Sequence, residues 1–133
     1  MSQAPGPLAG RRVLLVEDEY LIAETMEEWL RMAGAEVIGP VPSVAHALAL
    51  IEGAAPRLDG AVLDVSLGRG ETARPIADRL NELGVPFVFA TGDLRIIDDR
   101  VHRERPRLEK PIRRLQLLAT LEALFASRSP TSR

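Results

Sequence analysis

Short apolar runs alternate five times with stretches of helical periodicity, and this alternation constrains the chain more than any other feature. The run RVLLVE (12–17) reads as a buried strand. Ile22, Met26, Trp29, Leu30 and Ala33 then recur at helical spacing, and Gly34 stands where a helix stops. AEVIGPV (35–41) is a second strand, closed by Pro42, and Ser43 can cap a helix whose apolar face is Val44, Ala47, Leu48 and Ile51. GAVLDV (60–65) is a third strand. Thr72 can cap a third helix, which tolerates Pro75 in its first turn, turns Ile76, Leu80 and Leu83 inward and ends at Gly84. PFVFAT (86–91) is the fourth strand. A short helix near 94–101, a fifth strand near 106–110 and a last helix over 112–125 complete the pattern.

Strand and helix in strict alternation, joined by connections of a few residues, specify an α/β fold: a parallel sheet with helices on both faces. The chain has 133 residues, which is one domain by size. Aromatics make up only 4% of it, so the core must be built mainly from Leu, Val, Ile and Ala. Residues 1–10 read as a flexible lead, 11–126 as the folded domain and 127–133 as a disordered tail. On the last helix Ile112, Leu115, Leu118 and Ala119 are expected to face the core. Leu117, Leu121 and Leu124 lie partly round the other side, where they offer either a wider core stripe or a partner surface.

A net charge of −2 argues against a nucleic-acid binder. The absence of cysteine excludes disulfides, thiolate metal sites and thiol nucleophiles, and fits the cytoplasm. The N-terminus lacks the apolar core of a signal peptide, and no run approaches the ~20 residues that span a bilayer.

Ligands of open parallel sheets bind at the carboxyl ends of the strands. There this chain places Glu17 and Asp18 after the first strand, Asp64 at the end of the third, Thr91 at the end of the fourth and Lys110 after the fifth. Taken singly, each has a plain role. Asp18 can cap the first helix, Asp64 can be a turn residue and Thr91 an ordinary β-branched strand residue. Lys110 can be a surface lysine, but it is the only lysine beside sixteen arginines. That singularity suggests a task that the wide guanidinium fork cannot fill. Asp64 is a carboxylate inside an apolar run, where an ionised group is costly without a partner.

Together these residues carry a specific chemistry. Clustered carboxylates favour a hard cation with oxygen ligands, hence Mg²⁺. The Asp64 carboxylate can then act as nucleophile on a phosphoryl group and form an acyl phosphate. Lys110 would pair with the phosphoryl oxygens as a point charge, and Thr91 would donate a hydrogen bond to one of them.

The motifs VLLVEDE, AVLDVSL, FATGD and EKP, in this order, resemble the receiver domain of two-component response regulators over residues 11–126. PFVFATG further resembles the motif that names the FAT GUY subgroup, common among alphaproteobacterial single-domain regulators. The resemblance implies a doubly wound, flavodoxin-like sheet of five parallel strands in the order 2-1-3-4-5. It implies Asp64 as phosphoacceptor, and Asp18, Asp64 and the Ser66 backbone carbonyl as Mg²⁺ ligands, with Glu17 helping through water. Thr91 becomes the switch hydroxyl and Lys110 the family's lysine, followed by a Lys110–Pro111 bond that is often cis in relatives. A sensor histidine kinase or phosphotransfer protein is the implied donor, since neither His46 nor His102 lies in a donor context. Such a chain catalyses its own phosphorylation and dephosphorylation but turns over no separate substrate.

The sequence departs from the family pattern in four places. Arg107 stands where receivers commonly carry Tyr or Phe, so the relay from site to surface must differ. Asp93 replaces the aromatic that usually continues the subgroup motif, the span from Thr91 to Lys110 is short and charged, and GRGE replaces a proline-containing turn after Asp64. A dehalogenase-type phosphatase would need a second acid two residues after the nucleophile, where this chain has Ser66. GRGET is neither a phosphate loop nor a dinucleotide fingerprint. A pseudo-receiver that docks without accepting phosphate is the remaining alternative, and it has no need of the acid, threonine and lysine set. The reading is therefore a stand-alone response regulator that acts through protein contacts or as a phosphate sink, without nucleic acid or membrane.

Overall fold

A computed structural model describes residues 6–54, 57–68, 70–92 and 105–127. Five strands form one sheet: β1 (Arg12–Val16), β2 (Glu36–Val41), β3 (Gly60–Asp64), β4 (Phe87–Thr91) and β5 (Arg107–Glu109). All pairings are parallel and the order is β2-β1-β3-β4-β5, as expected of a doubly wound α/β fold. The described helices are α1 (Tyr20–Met32), α2 (Val44–Ala54), α3 (Arg74–Glu82) and α4 (Arg114–Ser127). The helix expected near 94–101 lies outside the described residues.

The two-residue period of the strands divides their side chains between two cores. Leu14, Val16, Ala61, Leu63, Phe87 and Phe89 pack with Ala47 and Ile51 of α2 and Ile76 and Leu80 of α3. Val13, Leu15, Val62, Val88 and Leu108 pack with Met26 and Leu30 of α1 and Leu117 and Leu121 of α4. The central strands are buried on both faces, which is why they read as continuous apolar runs and not as alternating ones.

β2 is irregular. Leu14 pairs with Ile38 but Val16 with Val41, so the strand gains a residue around Gly39 and the cis Gly39–Pro40 bond. Gly39 has φ 101°, and a Cβ there would stand 2.9 Å from the Leu15 carbonyl oxygen. Only glycine fits. The bulge ends with the Val41 carbonyl accepting the Glu17 N–H at 3.0 Å, which fixes the exit of β1.

Several sequence expectations need correction. The Ser43 hydroxyl does cap α2, accepting the His46 N–H at 3.2 Å. α3 begins one turn position later than its expected cap: Ala73 is the N-cap residue, and Thr72 accepts the Arg74 N–H at 3.3 Å. Leu83, expected to face inward, follows α3 and is 37% exposed. On α4 the expected core face is rotated. Leu117, Leu121 and Phe125 are buried, whereas Leu115 is 68% exposed, so the side offered as a partner surface belongs to the core. Ahead of β1, Leu8 is fully buried among the α1 and α4 side chains, and its N–H bonds the Ala33 carbonyl at 2.9 Å. The packed domain thus draws on residues before Arg11, at a site worth about 2 kcal/mol of apolar burial.

Candidate functional site

The same period of two that builds the cores also builds the site. Along β1 the α1–α4 face receives Val13, Leu15 and, one step past the strand, Glu17. Along β3 that face receives Val62 and then Asp64, and after β5 it receives Leu108 and then Lys110. Three charged side chains therefore meet because each is the next inward position of an apolar strand. Thr91 ends β4 beside them, and its carbonyl accepts the Lys110 N–H at 2.8 Å. The Lys110–Pro111 peptide is cis.

Carboxylate oxygens of Glu17, Asp18 and Asp64 all lie within 4.8 Å of one another. Glu17, Asp64 and Thr91 are buried, and Asp18 is exposed at the rim. Lys110 Nζ lies 3.2 Å from Asp64 Oδ2 and 3.2 Å from Glu17 Oε1. Glu17 Oε2 accepts the Glu19 N–H at 3.1 Å, so Glu17 helps close the turn into α1. Asp18 does not cap that helix. Its N-cap residue is Glu19, without a side-chain cap bond, which leaves the Asp18 carboxylate at the cleft.

Packing three acids around one ammonium has an electrostatic consequence. Burial raises the Asp64 pKa from its usual value to about 8, and the Glu17 charge and hydrogen bonds with Glu17 and Asp18 push it the same way against the pull of Lys110. Burial works against the Lys110 ammonium, but the Asp64 and Glu17 carboxylates outweigh it and hold its pKa above the usual value. The cluster is short of positive charge. Glu17 Oε1 is buried, and it shares the one Lys110 ammonium, 3.2 Å away, with Asp64. A hard divalent cation fits this donor set, because three carboxylates share a single ammonium and offer oxygen ligands within 4.8 Å of one another.

The cleft holds about 360 Å³ and is lined by Asp18, Asp64, Ser66, Gly68, Thr91 and Lys110 among others. Every residue singled out from the sequence is thus at or beside one opening, with Ser66 on its wall. The β3–α3 loop was harder to read. Ser66 pairs with Thr72 in an antiparallel bridge, and the Glu71 N–H bonds the Gly68 carbonyl at 2.8 Å, so the loop is a tight hairpin. Gly68 has φ 78°, and a Cβ there would stand 3.3 Å from Asp18 Oδ2. The two glycines of LGRG signal the turn, but nothing in the sequence signals its approach to Asp18. Glu71 Oε1 also accepts the Val44 N–H at 3.4 Å, which ties the loop to the start of α2.

The Arg107 position lies at the start of β5, paired in register with Phe89, while Thr91 pairs with Glu109. Arg100 and Arg103, ahead of the fifth strand, lie outside the described residues. Arg105 bonds the Asn81 side chain and lies 4.8 Å from the Phe87 ring centroid, so it serves the packing of β4 and α3.

No protein-family model and no curated protein matches the sequence. Solved structures do. SdrG from Sphingomonas melonis Fr1 is 40% identical, with 86% of this chain and 95% of that chain covered and a TM-score of 0.74. The BeF3-activated conformation of SdrG, given as from Pseudomonas melonis Fr1, is also 40% identical over 88% of this chain and 98% of that chain, at 0.72. A response regulator receiver protein from Sinorhizobium medicae WSM419 is 27% identical, covering 90% of this chain and 97% of that chain, with a TM-score of 0.78. With the strand order, the acidic cleft and these relatives in agreement, the chain belongs to the receiver domain family of response regulators.

Proposed function

We propose that the chain is a cytoplasmic response regulator receiver that accepts a phosphoryl group on Asp64 with Mg²⁺, from a sensor histidine kinase or a phosphotransfer protein. The observation that carries this reading is the contact of one lysine with two buried carboxylates at the mouth of the sheet. Two buried carboxylates that share one ammonium beside a third acid leave negative charge that a bound cation would neutralise. The existence of a BeF3-activated conformation of SdrG supports the same reading.

In the proposed reaction an Asp64 carboxylate oxygen attacks phosphorus, and the P–N bond of a phosphohistidine donor breaks as the P–O bond forms. The electron pair leaves with the donor imidazole, which takes up a proton. Bound Mg²⁺, held by Asp18, Asp64 and the Ser66 carbonyl with Glu17 behind them, would supply the charge that lets the dianionic phosphoryl group approach. Lys110 would exchange its contact with Asp64 for one with a phosphoryl oxygen, at little cost because the ammonium is already at the cleft. Thr91 would report the phosphoryl group by turning its hydroxyl to it. The chain would process only its own phosphoryl group, and its output would be protein contact or the draining of phosphate. The PFVFATG segment supports a place in the FAT GUY subgroup.

Incubation with a small phosphoryl donor and Mg²⁺, read by intact mass, tests this. The wild type should gain one phosphoryl group, and Asp64→Asn or chelation of Mg²⁺ should abolish the gain. Full labelling of Asp64→Asn would remove the assignment.

A further inference from the structure

The turn that follows Asp64 has little stiffness of its own. Gly68 and Gly70 both have φ 78°, and no proline stands between Asp64 and Thr72, so the free segment has many alternatives to this conformation. A ladder across the base holds the hairpin together. The Ala73 N–H donates to the Val65 carbonyl at 2.9 Å, Ser66 bridges Thr72, and the Leu67 N–H donates to the Glu71 carbonyl at 3.0 Å. That ladder fixes the hairpin's shape but not its position over the cleft, where Gly68 lies against Asp18 and Ser66 forms part of the wall.

Glu71 gives the hairpin an anchor outside itself. Its Oε1 accepts the N–H of Val44, the first residue of α2, at 3.4 Å. First-turn N–H groups have no partner within their own helix, and here two segments supply one each: Ser43 accepts the His46 N–H and Glu71 the Val44 N–H. A carboxylate also suits the positive end of a helix. α2 is in turn fixed to the sheet by Ala47 and Ile51, both fully buried, so the anchor point is rigid. The bond lies at the surface and adds little to the stability of the fold. Its effect is on where the hairpin sits, because Glu71 adjoins Thr72, against which Ser66 is paired.

We propose that Glu71 is a positioning residue for the metal: by clasping the end of α2 it holds the hairpin, and with it the Ser66 carbonyl, in place for Mg²⁺. This rests on the reading of the cleft as a Mg²⁺-dependent phosphoacceptor site. Glu71 does not line the cleft, so it acts through Ser66 and not as a ligand. The clasp supplies from α2 the stiffness that a turn with two glycines lacks.

Titration of the full chain with Mg²⁺ alone, followed through the amide resonances of Asp18 and Asp64, tests the proposal without any phosphoryl donor. Glu71→Ala should weaken Mg²⁺ binding at least about fivefold, as changes behind a metal's ligands do. Glu71→Gln loses the charge but keeps an acceptor oxygen for the Val44 N–H, and should bind within about twofold of the wild type. Ser43→Ala removes the other cap of α2 without touching the hairpin, and should also stay within about twofold. Thermal melting checks that all three variants remain folded. Unchanged affinity in Glu71→Ala would remove the clasp. Equal weakening by Ala and Gln would assign the effect to lost negative charge, and equal weakening by Ser43→Ala to the stability of α2. Each of these results overturns the proposal and leaves the phosphoacceptor reading standing, whereas a wild type that binds no Mg²⁺ overturns both.

Discussion

Replacing Asp64 by Asn should make the metal-free protein more stable, although it removes a buried hydrogen-bonding partner of Lys110. The cause is the Asp64 pKa, which burial raises from the usual 3.8 to about 8. Between those values the native state keeps a proton that the unfolded chain releases, so stability is full below the unfolded pKa and falls as pH rises towards the folded one. At about pH 7 the interval from the unfolded pKa is ~3 pH units, equivalent to roughly 4 kcal/mol at ~1.4 kcal/mol per unit. The cleft is open to solvent, and screening there reduces this to about 2 kcal/mol. Asn has the shape of Asp but no charge, so Asp64→Asn should recover about 2 kcal/mol at neutral pH, or ~6–12 °C in melting temperature for a domain of this size. Below about pH 4 the two proteins should melt together, because Asp64 is then protonated in the unfolded chain as well as in the native state. Urea or thermal unfolding across that pH range with chelator present reads the effect. Saturating Mg²⁺ should narrow the gap by stabilising only the wild type strongly. An Asn variant that is less stable than wild type at neutral pH without metal, or a gap that ignores pH, would refute the electrostatic reasoning.

Other consequences are as direct. Thr91→Ala should retain phosphorylation of Asp64 but give smaller amide shifts on binding a phosphoryl mimic, and shifts equal to wild type would show that the hydroxyl reports nothing. Lys110→Ala should leave Glu17 and Asp64 facing each other without their ammonium, slowing phosphorylation by a small donor at least about tenfold; an unchanged rate would remove Lys110 from the reaction. Leu8→Ala should cost about 2–4 kcal/mol in urea unfolding, because Leu8 is fully buried in the α1–α4 core. A loss within about 0.5 kcal/mol would mean that the segment before Arg11 is not part of the cooperative unit.

The strands were legible because their burial on both faces removes polar residues from five short stretches, and the observed bounds fall within a residue of the runs. The site was legible for the complementary reason. Glu17, Asp64, Thr91 and Lys110 interrupt or terminate apolar strands, and in a parallel sheet those ends share one edge. What could not be read is what depends on phase or on distant approach. α4 carries leucines at 115, 117, 118, 121 and 124, nearly all round the helix, so periodicity does not choose a face. The choice of Leu117, Leu121 and Phe125 follows from the position of β3 and β4 beneath them. Leu8 stands alone among Pro, Gly and Ala, a setting that signals no packing, and its burial is set by the α1 terminus against which it folds back. The Gly68 approach to Asp18 likewise joins segments fifty residues apart.

The central claim is that Asp18, Asp64, Thr91 and Lys110 form one phosphoryl-binding site. Amide spectra recorded with Mg²⁺, before and after addition of beryllofluoride, test it most directly. The account predicts large shifts at Asp64, Thr91 and Lys110 that require Mg²⁺ and vanish in Asp64→Asn. Spectra unchanged by beryllofluoride in the presence of Mg²⁺ would contradict it.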